Sequence, residues 1–554
     1  MYPMTDKLFF IFCFFPFLFS SCDNTRADVI VHGAKIYTVN SGNSIEQAMA
    51  INDGVIVGIG SDEEIFEKFS GQAVQKLNVQ GLPIYPGFID SHAHFLALGL
   101  LQNEIDLSGT TSYQEILQIL EVYRDANPKV RYIKGRGWDE NDWEEIKLPS
   151  KESLDSIFDD IPIILRRIDG HSILVNQVVL DRSGITSETA VEGGIIIKDD
   201  SGEPTGVLVD GAMRLVDGIL PPPSKEEKIE ALKKAEEICF SYGLTTVSDA
   251  GLDKEDILLI DELHKSGDLK IKVYAMVSNT PENLNYFLDE RGPILTDRLS
   301  VRSIKVYADG ALGSKGAALK ENYSDADHKG LFVTNLDSLR KLAFRIAQNG
   351  AFQMNTHAIG DLAHQEVLKA YRNALFFSKD PRWRIEHAQI IDTTDLELYD
   401  YRIIPSVQPT HATSDMYWAE DRLGPDRMVG AYPFRRLLER SKSIALGTDF
   451  PVEEVSPFNT FMAAVARQDI NGYPPEGFQI QDSLSREQAL RGMTYWGAYA
   501  NFEEDQKGSI EVGKAADFTI LDNDIMNSNW VKVINSRVVA TFINGDLVFT
   551  NRFE

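Results

Sequence analysis

The sequence predicts an α/β protein: a (β/α)8 barrel of the TIM type, with a small β-sandwich formed by both chain ends and a long insertion after the first barrel strand. Three observations predict it. Eight short apolar runs, at 87–92, 244–249, 271–277, 302–308, 351–357, 382–387, 402–408 and 443–448, alternate for the most part with helical segments. Both ends of the chain are rich in β-formers and tight turns. The stretch from about 106 to 223 breaks the strand–helix rhythm.

The chain opens "MYPMTDKLFFIFCFFPFLFSSC", with one lysine, Lys7, and an apolar run over 8–19 that contains Pro16. That run is too short to span a bilayer and suits the core of a signal peptide. Ser20-Ser21-Cys22 resembles a bacterial lipoprotein cleavage box. It implies removal of 1–21, lipidation of Cys22, and an exported, membrane-anchored lipoprotein on the periplasmic side or cell surface of a bacterium. Phe19 departs from such a box, and a plain secretory signal or a signal anchor is the alternative. Of the three cysteines, Cys13 leaves with the signal and Cys22 is blocked, so no intrachain disulfide remains possible. Cys239 falls on the apolar side of a helix and reads as an inert core residue.

Residues 22–85 and 503–554 form the expected sandwich. The first part runs "DVIVHGAKIYTVN…AMAINDGVIVGIGS", with Asn52-Asp53-Gly54 as a hairpin turn; the second repeats the style in "VVATFINGDLVF", with Asn544-Gly545-Asp546 at the turn. The barrel takes 86–105 and 224–502. Its helix "SKEEKIEALKKAEEICFSYG" carries a capping box, Ser224 with Glu227, and a stop at Gly243. The insertion, 106–223, holds extra strands in "RYIKGRG" and "IPIILRRI", ends at Pro221-Pro222-Pro223, and is expected to cover the active site.

With 554 residues, 43% hydrophobic and 25% charged, the chain is globular and long enough for more than one domain. Its formal charge of −28 argues against a nucleic-acid partner, which needs a basic surface. A small-molecule substrate is the expected partner.

Barrel chemistry sits at the C-terminal ends of the strands, so the residues ending each apolar run decide the function. "PGFIDSHAHF" ends the first strand in His92 and His94, which at positions i and i+2 share one face. Taken alone, such a pair in a strand is more often structural than a metal site. "RSIKVYADGALGS" puts Lys305 on the fourth strand, "FQMNTHAIGD" ends the fifth in His357, "RWRIEHAQ" the sixth in His387 and "IALGTDFP" the eighth in Asp449. Each has an ordinary alternative: an ion-pair partner for Lys305, satisfied core rings for the histidines, a helix N-cap for Asp449. All six at one end of different strands would require repeated coincidence.

With these motifs in order, and with "DGHSILVN", "SVQPTHATSD" and the terminal "GSIEVGKAADFTILD", the sequence resembles the amidohydrolase superfamily, in particular amidohydrolase family 3, the YtcJ-like group that includes N-substituted formamide deformylases. The resemblance covers nearly all of the chain after the leader. It implies one or two divalent metal ions, zinc first, with His92, His94 and Asp449 on the more buried ion and His357 and His387 on the second. It further implies that Lys305 is carboxylated and bridges them, since a carbamate offers anionic oxygens where an ammonium cannot ligate a cation. His171 in "DGHSILVN", His411 in "PTHATSD" and Trp138 in "GRGWDEND" are the candidate substrate contacts. Lys315 stands where related sequences often carry arginine. A homodimer is the oligomeric state the resemblance suggests.

The implied chemistry is hydrolysis of a C–N bond, amide, N-formyl or N-acyl, by metal-activated water, with Asp449 as the catalytic proton carrier. The alternatives are ester, lactone or phosphoester hydrolysis or elimination on the same site, a non-catalytic surface-binding lipoprotein on this scaffold, and a structural surface protein without metal. The substrate itself is set by loops and the insertion.

Overall fold

The computed structural model describes residues 26–69, 75–102 and 104–551. The leader and Cys22 lie outside the described residues.

Eight parallel strands form the barrel: β1 (Phe88–Ala93), β2 (Leu244–Leu252), β3 (Lys272–Ser278), β4 (Leu299–Tyr307), β5 (Gln353–Ala358), β6 (Trp383–His387), β7 (Ile403–Val407) and β8 (Ala445–Leu446). Each pairs in parallel with the next in the chain. The ring closes between its two ends, where Asp449 N–H donates to the His92 carbonyl at 2.8 Å and His94 N–H donates to the Phe450 carbonyl at 2.8 Å. β8 is shorter than the apolar run 443–448 predicts. The reason lies in the closure: Gly447 passes so near β1 that a Cβ there would come within 2.5 Å of the His92 nitrogen, and Thr448 gives its N–H and hydroxyl to Asp90.

Helices pack outside the ring. α1 (Phe95–Leu101) leaves β1 directly after the second histidine, and α2 (Lys225–Ser241) leads into β2. Ser224 and Glu227 form the reciprocal capping box, and Gly243 at φ +78° provides the left-handed turn that ends α2. The two helices approach so closely at Gly99 that a Cβ there would lie 1.8 Å from the Ala231 carbonyl oxygen. Cys239 is fully buried, and burial pushes its thiol well above its ordinary value, as suits an inert core residue.

The chain ends meet in two further sheets. Val29–His32, Ala48–Asn52, Val55–Gly60 and Gln75–Asn78 make one of four strands. The other has six and mixes both ends: Pro83–Pro86 pairs with Lys35–Tyr37 on one side and with Phe518–Leu521 on the other. Their facing apolar residues, among them Val31, Ile51, Ile84, Phe518 and Phe542, share one core. Asp53 and Gly54, and likewise Asn544 and Gly545, have positive φ, the turn geometry that suits a two-residue hairpin. Asp524 accepts from Tyr37, Tyr85 and Lys35 at 2.9, 3.2 and 2.7 Å, the last an ion pair. Buried Lys272, at the base of β3, pairs with Asp517 and donates to Asn544, each at 2.7 Å, and so fastens the barrel to the second hairpin.

A third sheet of six strands lies between β1 and β2 in the chain, running from Ile105–Asp106 to Pro204–Asp210. It has a core of its own, built on Leu107, Leu120, Ile133, Trp138 and Leu165.

Candidate metal centre

The C-terminal ends of the barrel strands open into a cavity of about 750 Å³. Its floor is lined by His92, His94, Lys305, His357, His387 and Asp449, and its upper wall by residues of the insertion, including Arg136, Arg166, His171 and Arg214. Register explains the convergence: Tyr307 stands opposite His357 and Ala358 opposite His387, so successive strands deliver their terminal residues at one level.

Backbone geometry aims two of these groups. His387 and Asp449 have φ of +71° and +62°, left-handed values that non-glycine residues rarely adopt. The turn at each strand end swings the side chain over the barrel mouth, a form of strain that persists where surrounding structure enforces it.

His92 Nε2 lies 3.6 Å and His94 Nε2 3.2 Å from Asp449 Oδ1. Asp449 Oδ2 lies 3.9 Å from His387 Nδ1 and 3.8 Å from His411 Nε2. Two donor groups therefore share this carboxylate, His92–His94–Asp449 and His387–His411–Asp449, each with all its atoms within 4.8 Å of one another. Lys305 Nζ stands 3.3 Å from His92 Nε2 and 4.7 Å from the Tyr307 ring centre. His357 packs its ring 4.5 Å from that of His387, with Nε2 3.4 Å from the Gly310 carbonyl oxygen.

The protonation states suit ligands. Burial, reinforced by Lys305, pushes His92 down to about 4. Burial and the neighbouring rings hold His357 and His387 well below the ordinary imidazole value. Burial pushes Lys305 down to about 8. Burial would raise Asp449, but His92, His94 and His387 around it hold it well below the usual carboxylate range. At neutral pH His92, His357 and His387 thus present neutral nitrogen lone pairs beside the anionic Asp449 carboxylate. His387 Nδ1, His411 Nε2 and Asp449 Oδ1 are buried with no aligned hydrogen-bond partner, which is costly unless a cation takes those lone pairs. The donor set fits a divalent metal.

Behind the floor stands a layer that the sequence motifs do not mark. Glu386 Oε2 lies 2.5 Å from His92 Nδ1, and Arg384 Nε pairs with the other Glu386 oxygen at 2.8 Å. Burial would raise Glu386, but Arg384 first and His92 second hold it at about 2. Asp309 accepts the backbone N–H groups of Ala318, Ile359 and Gly360 beneath His357. An acidic residue directly before a strand-end histidine is the one signal by which Glu386 could have been found.

Of the candidate substrate contacts, His171 lines the cavity with Nδ1 bonded to Asp210 at 2.7 Å. Burial would lower it, but Asp210 raises it above the ordinary value. His411 also lines the cavity, and its nearness to Asp449 puts it beside the ligand cluster rather than on a distant wall. Trp138 requires correction: it is fully buried in the inserted sheet's core, its indole N–H donating to the Leu165 carbonyl at 2.9 Å, and it does not line the cavity. An aromatic at a strand end serves a core or a pocket equally well, and only the packing of that sheet decides. Lys315 is held by Asp325 at 3.1 Å.

The sequence profile of the Amidohydrolase family matches residues 77–549. A Bacillus subtilis (strain 168) protein named "Putative amidohydrolase YtcJ" is 33% identical over 530 residues, 94% of this chain and 99% of that protein. The N-substituted formamide deformylase of Arthrobacter pascens is 26% identical over 94% of this chain and 98% of its own length. Among solved structures, an uncharacterized metal-dependent hydrolase from Pyrococcus horikoshii superposes with a TM-score of 0.73 at 26% identity, over 91% of this chain and 99% of that one.

Proposed function

The chain belongs to the amidohydrolase family and is a metal-dependent hydrolase, and we propose that it cleaves the C–N bond of a small amide, N-formyl or N-acyl compound. One observation carries the reading: Asp449 sits between two imidazole groups, ionised and with an oxygen that has no aligned hydrogen-bond donor. The deformylase likeness, over nearly the whole chain, favours amides over esters and lactones on the same site.

In this reading His92, His94 and Asp449 hold one divalent ion and His357 and His387 a second, with zinc suited to such nitrogen and carboxylate donors. Lys305, as a carbamate formed by adding carbon dioxide to its amine with loss of a proton, would offer the ions anionic oxygens. Bound metal supplies an activated water at neutral pH and polarises the scissile carbonyl. Asp449 does the proton work: it accepts the proton of the attacking water and returns it to the departing nitrogen. His171, oriented by Asp210, directs its other ring nitrogen at the substrate carbonyl. Glu386 holds His92 with Nε2 free to ligate.

The test is a screen of zinc-loaded protein against N-formyl amines, N-acyl amino acids and their ester counterparts, with metal counted on the same preparation. Amide turnover that disappears with the metal supports the reading. Turnover of esters alone would overturn it. The proposed lipid on Cys22 is checked separately, by the mass of the mature N-terminus.

A further inference from the structure

The inserted sheet brings two arginines face to face above the metal centre. Arg136, on Ile133–Trp138, stands in register with Arg166, on the adjacent parallel strand Ile163–Arg167. Neighbours in register project from the same face of a sheet, and both side chains line the cavity that holds Asp449 and the histidines. Like charges placed directly opposite each other are unfavourable.

Among the described residues, neither guanidinium comes within ion-pairing distance of a carboxylate. Arg136 is 9% exposed and donates from one terminal nitrogen to the Ile168 carbonyl at 3.0 Å, while its Nε is buried with no partner. Arg166 is exposed to the cavity and donates to the Gly170 carbonyl at 3.1 Å. Burial first, and the facing Arg166 second, push Arg136 down to about 10. The acids of the same wall are otherwise engaged or set apart. Asp169 is paired with Arg167 and accepts the His171 N–H, Glu104 lies 3.9 Å from Lys134, and Asp106, the register neighbour on the far side of Arg136, accepts the Ser108 N–H. The contrast with Arg167, next in sequence and enclosed by Asp139, Glu140 and Asp169, is direct. A third cavity arginine, Arg214, has no side-chain hydrogen bond or ion pair among the described residues.

We propose that Arg136 and Arg166 form the binding slot for a substrate carboxylate, so that the compounds hydrolysed are N-acylated or N-formylated amino acids or similar amido acids. The inference rests on the C–N hydrolase reading for what happens to the ligand, and on the arginine pair alone for what is recognised. A carboxylate fits the planar guanidinium fork in two parallel N–H to oxygen contacts, satisfies the orphaned Arg136 Nε, and neutralises the facing charges at once. The slot and the ligand cluster occupy one cavity, so a carboxylate held above leaves its neighbouring amide over the floor.

Two ligands without a stereocentre test this: N-benzoylglycine and its neutral counterpart N-benzoylglycinamide. Their dissociation constants are measured by calorimetry on metal-loaded full-length protein, and mass spectrometry on the same samples reads cleavage. The wild type is expected to prefer the acid by about tenfold or more, the size that charge-assisted hydrogen bonds give. In Arg166→Gln, and in Arg136→Gln combined with it, the preference should shrink to within about threefold, with Arg166→Lys in between. Arg166 is exposed, so its single substitution keeps the test valid if the double variant folds poorly. Equal binding by the wild type would overturn the slot. So would a preference that survives Arg166→Gln, since the carboxylate would then be sitting on the metal. Cleavage is a separate readout: an arginine-dependent preference with both ligands intact sinks the hydrolytic reading for these compounds and leaves the slot standing, and cleavage without preference does the reverse.

Discussion

Glu386 Oε2 and His92 Nδ1 lie 2.5 Å apart, both fully buried. The carboxylate accepts, so the ring proton is on Nδ1 and the Nε2 lone pair points at the cavity. Glu386→Gln keeps the shape and removes the charge, and it leaves the buried Arg384 without its ionic partner. Retention of metal against graded chelator should weaken by roughly 10–100-fold, the usual effect of losing such an outer-shell carboxylate. Unchanged retention would show that His92 needs no such orientation.

Asp449→Asn keeps the size of the side chain at the turn and removes the proton carrier. Turnover of whichever substrate the screen identifies should fall by roughly 10²–10⁴-fold, while circular dichroism stays that of the wild type. A rate near wild type with metal bound would assign the proton transfer elsewhere.

His264 is a source of acid sensitivity remote from the metal. His264 donates from Nε2 to the Ile271 carbonyl at 2.9 Å, and burial pushes it from 6.5 down to about 4. Between those values the unfolded chain binds a proton that the folded chain does not, so stability falls as pH drops from 6.5 towards 4. The slope from this group is at most about 1.4 kcal/mol per pH unit. In His264→Gln the decline of melting temperature across that window should be shallower than in the wild type. Parallel curves would show that this ring does not report burial.

Gly99→Ala places a methyl group against the Ala231 carbonyl, where α1 and α2 touch. Helix propensity favours alanine, but overpacking at a backbone contact outweighs it, with an expected loss of about 1–3 kcal/mol. The thermal midpoint should fall, and a rise would mean that the two helices separate freely.

The barrel was legible because its signals are redundant: eight apolar runs, five of them with a chemically distinctive residue in or just beyond them. The floor was legible for the same reason. What strand alternation could not give is the layer behind it. Adjacent Glu386 and His387 should point to opposite faces, yet both serve the centre, because the positive φ at His387 rotates its ring over the barrel mouth while Glu386 reaches the back of His92. Likewise Arg136 and Arg166 lie 30 positions apart in strands whose register no local pattern encodes. Trp138 shows the converse: its residue type suggested a pocket wall, and the inserted sheet used it as core.

The aspartate that gathers Lys35, Tyr37 and Tyr85 lies 439 residues beyond the last of them. During synthesis the first strands therefore emerge long before the partners that complete their sheet. Pairings over such separations are slow to form and leave strand edges open meanwhile. β1, which carries His92 and leads into His94, follows closely on Pro83–Pro86, one of the strands that must wait. The strand that leads into the metal-site histidines is thus held by residues from the far end of the chain.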